Sequence, residues 1–487
     1  MPNTSDFVLT AIDETPELST ADLTALDRKS VLHPATSLVD FTSGKAPASI
    51  MESASGLRIR DTEGNEFIDA FAGLYCVNIG YGRTEVAEAI ARQAHQLAYY
   101  HIYSGHSTRE LIHLSDRLLR MAPKSNGGGA MKRVFYGLSG SDANETQAKL
   151  VWYYHNLIGK PRKKRIISRE RGYHGNTVVS GSMTGLTLYH QLMDLPVQAI
   201  LRTGLAHHYW GATAGESEGQ FAERRARELE ELILREDPET IGAFIGEPVM
   251  GTGGLIPPPA GYWKAIQAVL RKYDILMIAD EVITGFGRTG RMFGSELCDI
   301  QPDLMTIAKG LTSAYAPLSG VLVGERVFNA MEAGSAEAGP FPHGYTYTGH
   351  PIGLAAANAN LDIVEGENLA GNAAEVGPYM LAALHDAFDG LPITGEVRGV
   401  GLMLAVEFVA DPATKTRLDP KIGVAYRVAK RARELGLIFR AMPQSDAIGF
   451  APPLVVTRAE ADQIVDIAAR ATREVLDELV REGALKG

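Results

Sequence analysis

The sequence predicts an α/β protein with a large domain on a mainly parallel central sheet and a smaller α+β domain. Three observations carry this. Short apolar runs recur from about residue 83 onward: VFYGL (134–138), RIIS (165–168), AFIGEP (243–248), ILMIADE (275–281), LMTIAKG (304–310) and SGVLVG (319–324). Helical stretches separate them, as strands buried on both faces of a parallel sheet require. Between two of these runs, FAERRARELEELILRE (221–236) sets Phe221, Ala222, Ala226, Leu229, Leu232 and Ile233 on one helical face. Finally, Leu57, Ile59, Phe67 and Ile68 alternate around the turn TEGN (62–65), which marks an antiparallel hairpin.

In chain order, residues 1–30 are rich in Ser, Thr, Asp and Glu without sustained apolar periodicity, so they read as an arm or a weakly packed short helix, with structure proper from about Val31. The arm and hairpin fill 1–82, and the large ligand-binding domain fills 83–351. An Ala-rich helix then follows His350-Pro351 and opens a C-terminal small domain, 352–487, which continues through VRGVGLMLAVEFV (397–409) and a helix at about 421–436 to a C-terminal helix.

With 487 residues, 45% of them hydrophobic and 22% charged, the chain has the composition of a large globular subunit. A formal net charge of −11 argues against a nucleic-acid groove and favours a small-molecule ligand. The only cysteines, Cys76 and Cys298, are too few for a disulfide framework or a thiolate metal site. The N-terminus lacks the positive start and apolar stretch of a secretory signal, and no run approaches the roughly 18 apolar residues of a membrane span. A cytoplasmic location, with no membrane partner, is the expectation.

Four features fall at the carboxyl ends of predicted strands, where open α/β sheets bind ligands. In YGLSGSDANET (136–146), Ser139-Gly140-Ser141 leads a strand into a helix, and the free N–H groups of such a terminus can bind phosphate. A plain cap by Ser141 or Asp142 is the competing reading. Asp280 closes ILMIAD, and a carboxylate at a buried strand end needs a cation, a protonated ring nitrogen or a metal beside it. Lys309 ends LMTIA before Gly310. A lone lysine is ordinarily a solvated charge, but poor solvation lowers an ammonium pKa and frees the amine for Schiff-base chemistry. Tyr173, in RGYHGNT (171–177), could lie against a flat ligand or simply pack in a loop. A phosphate cradle, a carboxylate, a strand-end lysine and a loop tyrosine are together what pyridoxal 5'-phosphate needs.

The chain resembles the class III aminotransferases of the fold-type I pyridoxal-phosphate superfamily, and within them the amine:pyruvate or omega-transaminase group. The resemblance runs from about His33 to the C-terminal helix. It rests on ADEVITGFGRTG followed by IAKG, with 29 residues from Asp280 to Lys309, and on DAFAGLYCVNIGYGR (69–83), SGSDANET (139–146), GYHG (172–175), GEPVMGTGG (246–254), HGYTYTGHP (343–351) and VRGVGLM (397–403). It implies that Lys309 holds the cofactor as a Schiff base and that Asp280 keeps the pyridine nitrogen protonated. Val282, taken as lying on the same strand face as Asp280, would pack under the ring with Tyr173 on the other side. Ser139, Gly140 and Ser141 form the phosphate cradle, Glu247 steadies the network near the substrate, and Thr346 contacts the phosphate across a homodimer with shared active sites. Arg440 matches an arginine that binds substrate carboxylates. Tyr75 and Tyr345 stand on the substrate side where many members carry Trp and Phe. The expected activity is ping-pong transfer of an amino group from an amine or omega-amino acid to a keto acid, pyruvate. A pyridoxal-phosphate aminomutase or decarboxylase on the same scaffold is the alternative.

Overall fold

The computed structural model describes residues 18–485. Part of the expected N-terminal arm, residues 1–17, therefore lies outside the described residues. The chain forms two compact units, one comprising residues up to Ala54 together with Arg58–Phe67, the other Ser55–Leu57 with Ile68 onward.

In the first unit a helix spans Thr20–Ser30, the weakly packed short helix that is one of the two readings of residues 1–30. Ser19 caps it by accepting from the Asp22 amide, and Asp22 near its start with Arg28 and Lys29 near its end complement the helix dipole. It buries no side chain, so local capping rather than a packed face forms it. Strand β1 (Met51–Ser55) precedes β2 (Arg58–Asp61) and β3 (Glu66–Asp69). The TEGN turn is closed by Asp61, whose Oδ1 accepts from the amides of Glu63 (3.1 Å) and Asn65 (2.9 Å).

The second unit contains the central sheet. Its strands are β4 (Met131–Gly137), β5 (Arg165–Arg169), β6 (Ile200–Thr203), β7 (Ile241–Gly246), β8 (Leu276–Asp280), β9 (Leu304–Ile307) and β10 (Ser319–Gly324), in the order β4-β10-β9-β8-β7-β5-β6. Six strands run one way, and β10 runs against both neighbours. All six expected runs are strands, and β6 is an additional edge strand. The alternation of the pleat divides their side chains between two cores. Ile167, Met277 and Met305 enter one, and Ile166, Ile278 and Leu304 enter the other. Truncating a fully buried residue such as Ile278 to Ala costs about 2–5 kcal/mol. The helix Glu218–Arg235 buries the six residues of its expected face.

A four-stranded sheet of order β11-β12-β15-β14 follows, from β11 (Thr394–Val400), β12 (Met403–Phe408), β14 (Arg440–Ala441) and β15 (Ala447–Phe450). The two-residue β13 (Leu437–Ile438) pairs with Ile68 and Asp69 instead. The helix expected at about 421–436 spans Val424–Glu434. The helix Pro351–Gly366 serves two cores: Leu354, Ala357 and Leu361 pack with the central sheet, and Ala356, Ile363 and Val364 pack with the C-terminal elements.

Candidate active site

The carboxyl ends of β4, β5, β7, β8 and β9 share one edge of the sheet, and the residues following them line a common cavity. Gly140, Ser141, Tyr173, Glu247, Asp280, Val282 and Lys309 all contribute to its wall. Phosphate-binding potential comes from the helix Gly140–Leu157. Ser139 is its N-cap, accepting from the Asp142 amide at 3.2 Å, while Asp142 accepts from the Ser139 amide at 3.1 Å. The capping reading is therefore correct for Ser139 and Asp142 rather than Ser141, and Ser139 does not line the cavity. This box leaves the Gly140 and Ser141 amides without partners among the described residues, at the positive end of the helix dipole. A Cβ on Gly140 would lie 3.0 Å from a Val282 methyl, so a side chain here would press on Val282 where the helix terminus approaches it.

Asp280 ends β8 and is 2% exposed. Its Oδ2 lies 2.7 Å from His174 Nδ1 and accepts from Asn144 Nδ2 at 2.8 Å, while Oδ1 accepts from the Val282 amide at 3.1 Å. Asn144 is held in turn: its Oδ1 accepts from Thr306 Oγ1 at 2.6 Å, and Thr306 accepts from Gln147 Nε2 at 3.0 Å. The carboxylate thus sits at the end of a buried chain of donors, which offsets its desolvation. Sequence reasoning missed Asn144, His174, Thr306 and Gln147. One signal was available, since Asn144 lies one helical turn after Gly140 and so faces the same side. Val282 lies beyond the strand rather than on it, because β8 ends at Asp280, and the following turn brings it against Gly140.

Glu247 follows β7 and is buried. Its Oε1 accepts from the Tyr173 amide at 3.2 Å and its Oε2 from the Gly251 amide at 2.7 Å. Burial pushes its carboxyl above the usual carboxylate range, with nearby His174 opposing the shift. Tyr173 packs edge-on to Tyr189 at 5.5 Å. Glu281, next to Asp280, does not line the cavity: it accepts from the amides of Gly294 (2.9 Å) and Ser295 (2.6 Å) and holds the following loop.

Lys309 does not end the strand as expected. β9 stops at Ile307, and Lys309 occupies a short turn with φ of 43°, in the left-handed region. The next residue must be glycine, since a Cβ on Gly310 would lie 2.4 Å from Asn78 Nδ2. The Lys309 amine has no hydrogen bond or ion pair among the described residues and borders the same cavity as Asp280.

The substrate-side residues lie apart from this wall. Tyr75 is 1% exposed, in an apolar cluster that includes Phe71 and the cavity residue Ile283. Burial pushes its phenol up to about 12, against the lowering effect of the adjacent Arg440 guanidinium. Arg440 lies in β14, paired with Gly449. Its guanidinium stands 5.5 Å from the Phe71 ring centre and 6.0 Å from that of Tyr75, and it has no carboxylate partner among the described residues. Tyr345 points its hydroxyl at Thr146 Oγ1 and the Asp142 carbonyl, both at 3.2 Å, and does not line the cavity of its own chain. Thr346 is exposed, and its carbonyl accepts from the Tyr99 hydroxyl at 2.6 Å.

A terminus for phosphate, a buried carboxylate for a protonated ring nitrogen and an unpaired amine for an aldehyde fit pyridoxal phosphate. Residues 41–472 match the family Aminotransferase class-III, and the chain belongs to it. It is a pyridoxal-phosphate-dependent transaminase of that class. It is 63% identical to an uncharacterized aminotransferase of Sinorhizobium fredii, over 95% of this chain and 98% of that protein. It is 54% identical to a diaminobutyrate–2-oxoglutarate transaminase of Halomonas elongata, over 96% of this chain and 98% of that one. Among solved structures it resembles an omega transaminase from Pseudomonas jessenii in complex with PMP. That match has a TM-score of 0.90 and 44% identity, and it covers 96% of this chain and all of that one.

Proposed function

We propose that this transaminase takes the amino group of an amine or omega-amino acid and delivers it to pyruvate, in two half-reactions at a single site. The observation that carries this reading is Arg440: a half-buried guanidinium beside Tyr75 and Phe71 with no carboxylate partner among the described residues, suited to engage a keto acid carboxylate through paired charge-assisted bonds. Bound pyridoxal phosphate supplies a conjugated electron sink for the bond being broken. In this reading the amides of Gly140 and Ser141 orient the phosphate, and Val282 and Tyr173 flank the ring. Asp280, fixed by His174 and Asn144, keeps the pyridine nitrogen protonated. Lys309 Nζ would hold the aldehyde carbon and, once the substrate amine has displaced it, would take the proton from the substrate carbon. Glu247 braces the Tyr173 backbone.

The reading includes a homodimer in which Thr346 of the partner subunit completes the phosphate site. Support comes from the exposure of Thr346 and from an apolar hollow of about 270 Å³ whose wall includes Leu138, Pro317, Tyr347 and Ile352, a surface that a second copy would cover. Both cysteines are free, as a reducing, cytoplasmic setting requires. No helix among the described residues is long and apolar enough to cross a membrane. Supplying an amine donor with pyruvate or 2-oxoglutarate tests the acceptor. Alanine should form at least about tenfold faster than glutamate, a difference of ~1.4 kcal/mol in barrier. Faster formation of glutamate overturns the pyruvate assignment.

A further inference from the structure

The loop carrying Tyr345 and Thr346 is laid along the helix whose N-terminus faces the cofactor cavity. Asp142, Thr146, Lys149 and Tyr153 follow one another at intervals of four, three and four residues, and so form one stripe of that helix. Each meets the loop in turn. The Tyr345 hydroxyl engages Thr146 and the Asp142 carbonyl, His343 engages Thr146 and Lys149, and Phe341 packs on the Tyr153 ring at 5.0 Å. The loop and helix therefore run antiparallel like two sides of a ladder, with His343 as the middle rung. The Phe135 ring of β4 stacks on the imidazole at 5.2 Å and 19°.

The hydrogen bonds fix the state of this imidazole. Thr146 Oγ1 donates its single proton to the Asp142 carbonyl at 2.9 Å, so it accepts from His343 Nε2–H at 2.9 Å. Nδ1 is then the unprotonated nitrogen, and it accepts from the Lys149 ammonium at 2.9 Å. Only neutral His343 satisfies both bonds. A second proton would set an N–H against an ammonium, donor to donor and cation to cation.

We propose that His343 is a positioning residue whose neutral form clasps the Tyr345–Thr346 segment to the phosphate-binding helix, and whose protonation releases it. The consequence for the cofactor rests on the shared-site reading above, in which Thr346 reaches the phosphate of the partner. Burial and Lys149 lower the His343 pKa, opposed by Asp142 and Glu145 of the same helix; Phe135, Phe341 and Tyr345, the other side chains packed on the ring, bring no charge at neutral pH. For a histidine whose folded pKa is depressed, the stabilisation is fully present above its unfolded value near 6.5 and is lost as pH falls through the lower folded value.

The test is cofactor release from the holoenzyme in phosphate-free buffer, with hydrogen-exchange protection of residues 341–348 read in parallel. Between about pH 7.5 and pH 5.5, native enzyme should release cofactor about tenfold faster and lose protection in 341–348. His343→Gln offers an acceptor to Lys149 and a donor to Thr146 but cannot be protonated in this range, so it should hold the cofactor at pH 7.5 and change less than about threefold on acidification. An undiminished acid step in His343→Gln, or unchanged protection of 341–348 in the native enzyme, overturns the proposal. Thr346→Ala separates the two readings. If it releases cofactor no faster than native enzyme at neutral pH, the shared-site reading fails, and the protection measurement alone decides the clasp.

Discussion

His174 Nδ1 lies 2.7 Å from Asp280 Oδ2, and the His174 side chain is fully buried. Asn144 donates to the same oxygen. The carboxylate is therefore oriented by two side chains from different segments. Such preorganisation is what an electrostatic partner in a desolvated site requires.

Asp280→Asn should retain the cofactor, because the helix terminus and Lys309 are untouched, yet turnover should fall by about 10²–10³-fold through loss of the charge opposite the ring nitrogen. Absorbance of the purified variant and its steady-state rate check both halves of this expectation. Turnover within about threefold of native would remove Asp280 from its assigned role.

Borohydride reduction of the holoenzyme should fix the cofactor to the peptide containing Lys309 and to no other. Lys309 is suited to this because its amine borders the cavity without a competing partner among the described residues. Peptide mapping by mass spectrometry reads the outcome, and label on a different lysine contradicts it.

That Asp280 and Lys309 would border one cavity was legible in the sequence, because each follows a largely apolar run of the kind that a strand buried on both faces requires. The details beyond the strand ends were not legible. Periodicity cannot show that β9 stops at Ile307 and that Lys309 takes a left-handed turn, or that Val282 has left the strand and meets Gly140. β6 escaped notice because an edge strand of four residues containing Arg202 carries little apolar signal. β14, which carries Arg440, has no sequence signal of its own because it is only two residues long and is defined by pairing with β15. The links from His174 to Asp280 and from His343 to Lys149 span 106 and 194 residues, and nothing local in either segment announces its partner.

Arg440→Ala should impair the two half-reactions unequally. The keto acid half should slow by about ten- to a thousand-fold, for ~1.5–4 kcal/mol of lost charge-assisted pairing, while single-turnover deamination of a carboxylate-free amine should change little. Stopped-flow spectra of each half-reaction decide the matter. Equal losses in both would make Arg440 a structural residue.

Mixing Lys309→Ala with Thr346→Ala subunits should restore activity. In the mixed dimer one site collects both defects and the other has neither, so up to about half of the sites in that species should work at near-native rate. No recovery on subunit exchange contradicts the cross-subunit placement of Thr346.

The central claim is tested most directly by giving the holoenzyme an amine in excess without any keto acid and counting product. A two-step transaminase should release one carbonyl product per active site and then stop, and added pyruvate should restart it with one alanine formed for each further carbonyl product. Continued turnover of the amine without an acceptor, as an aminomutase or decarboxylase would show, contradicts the account.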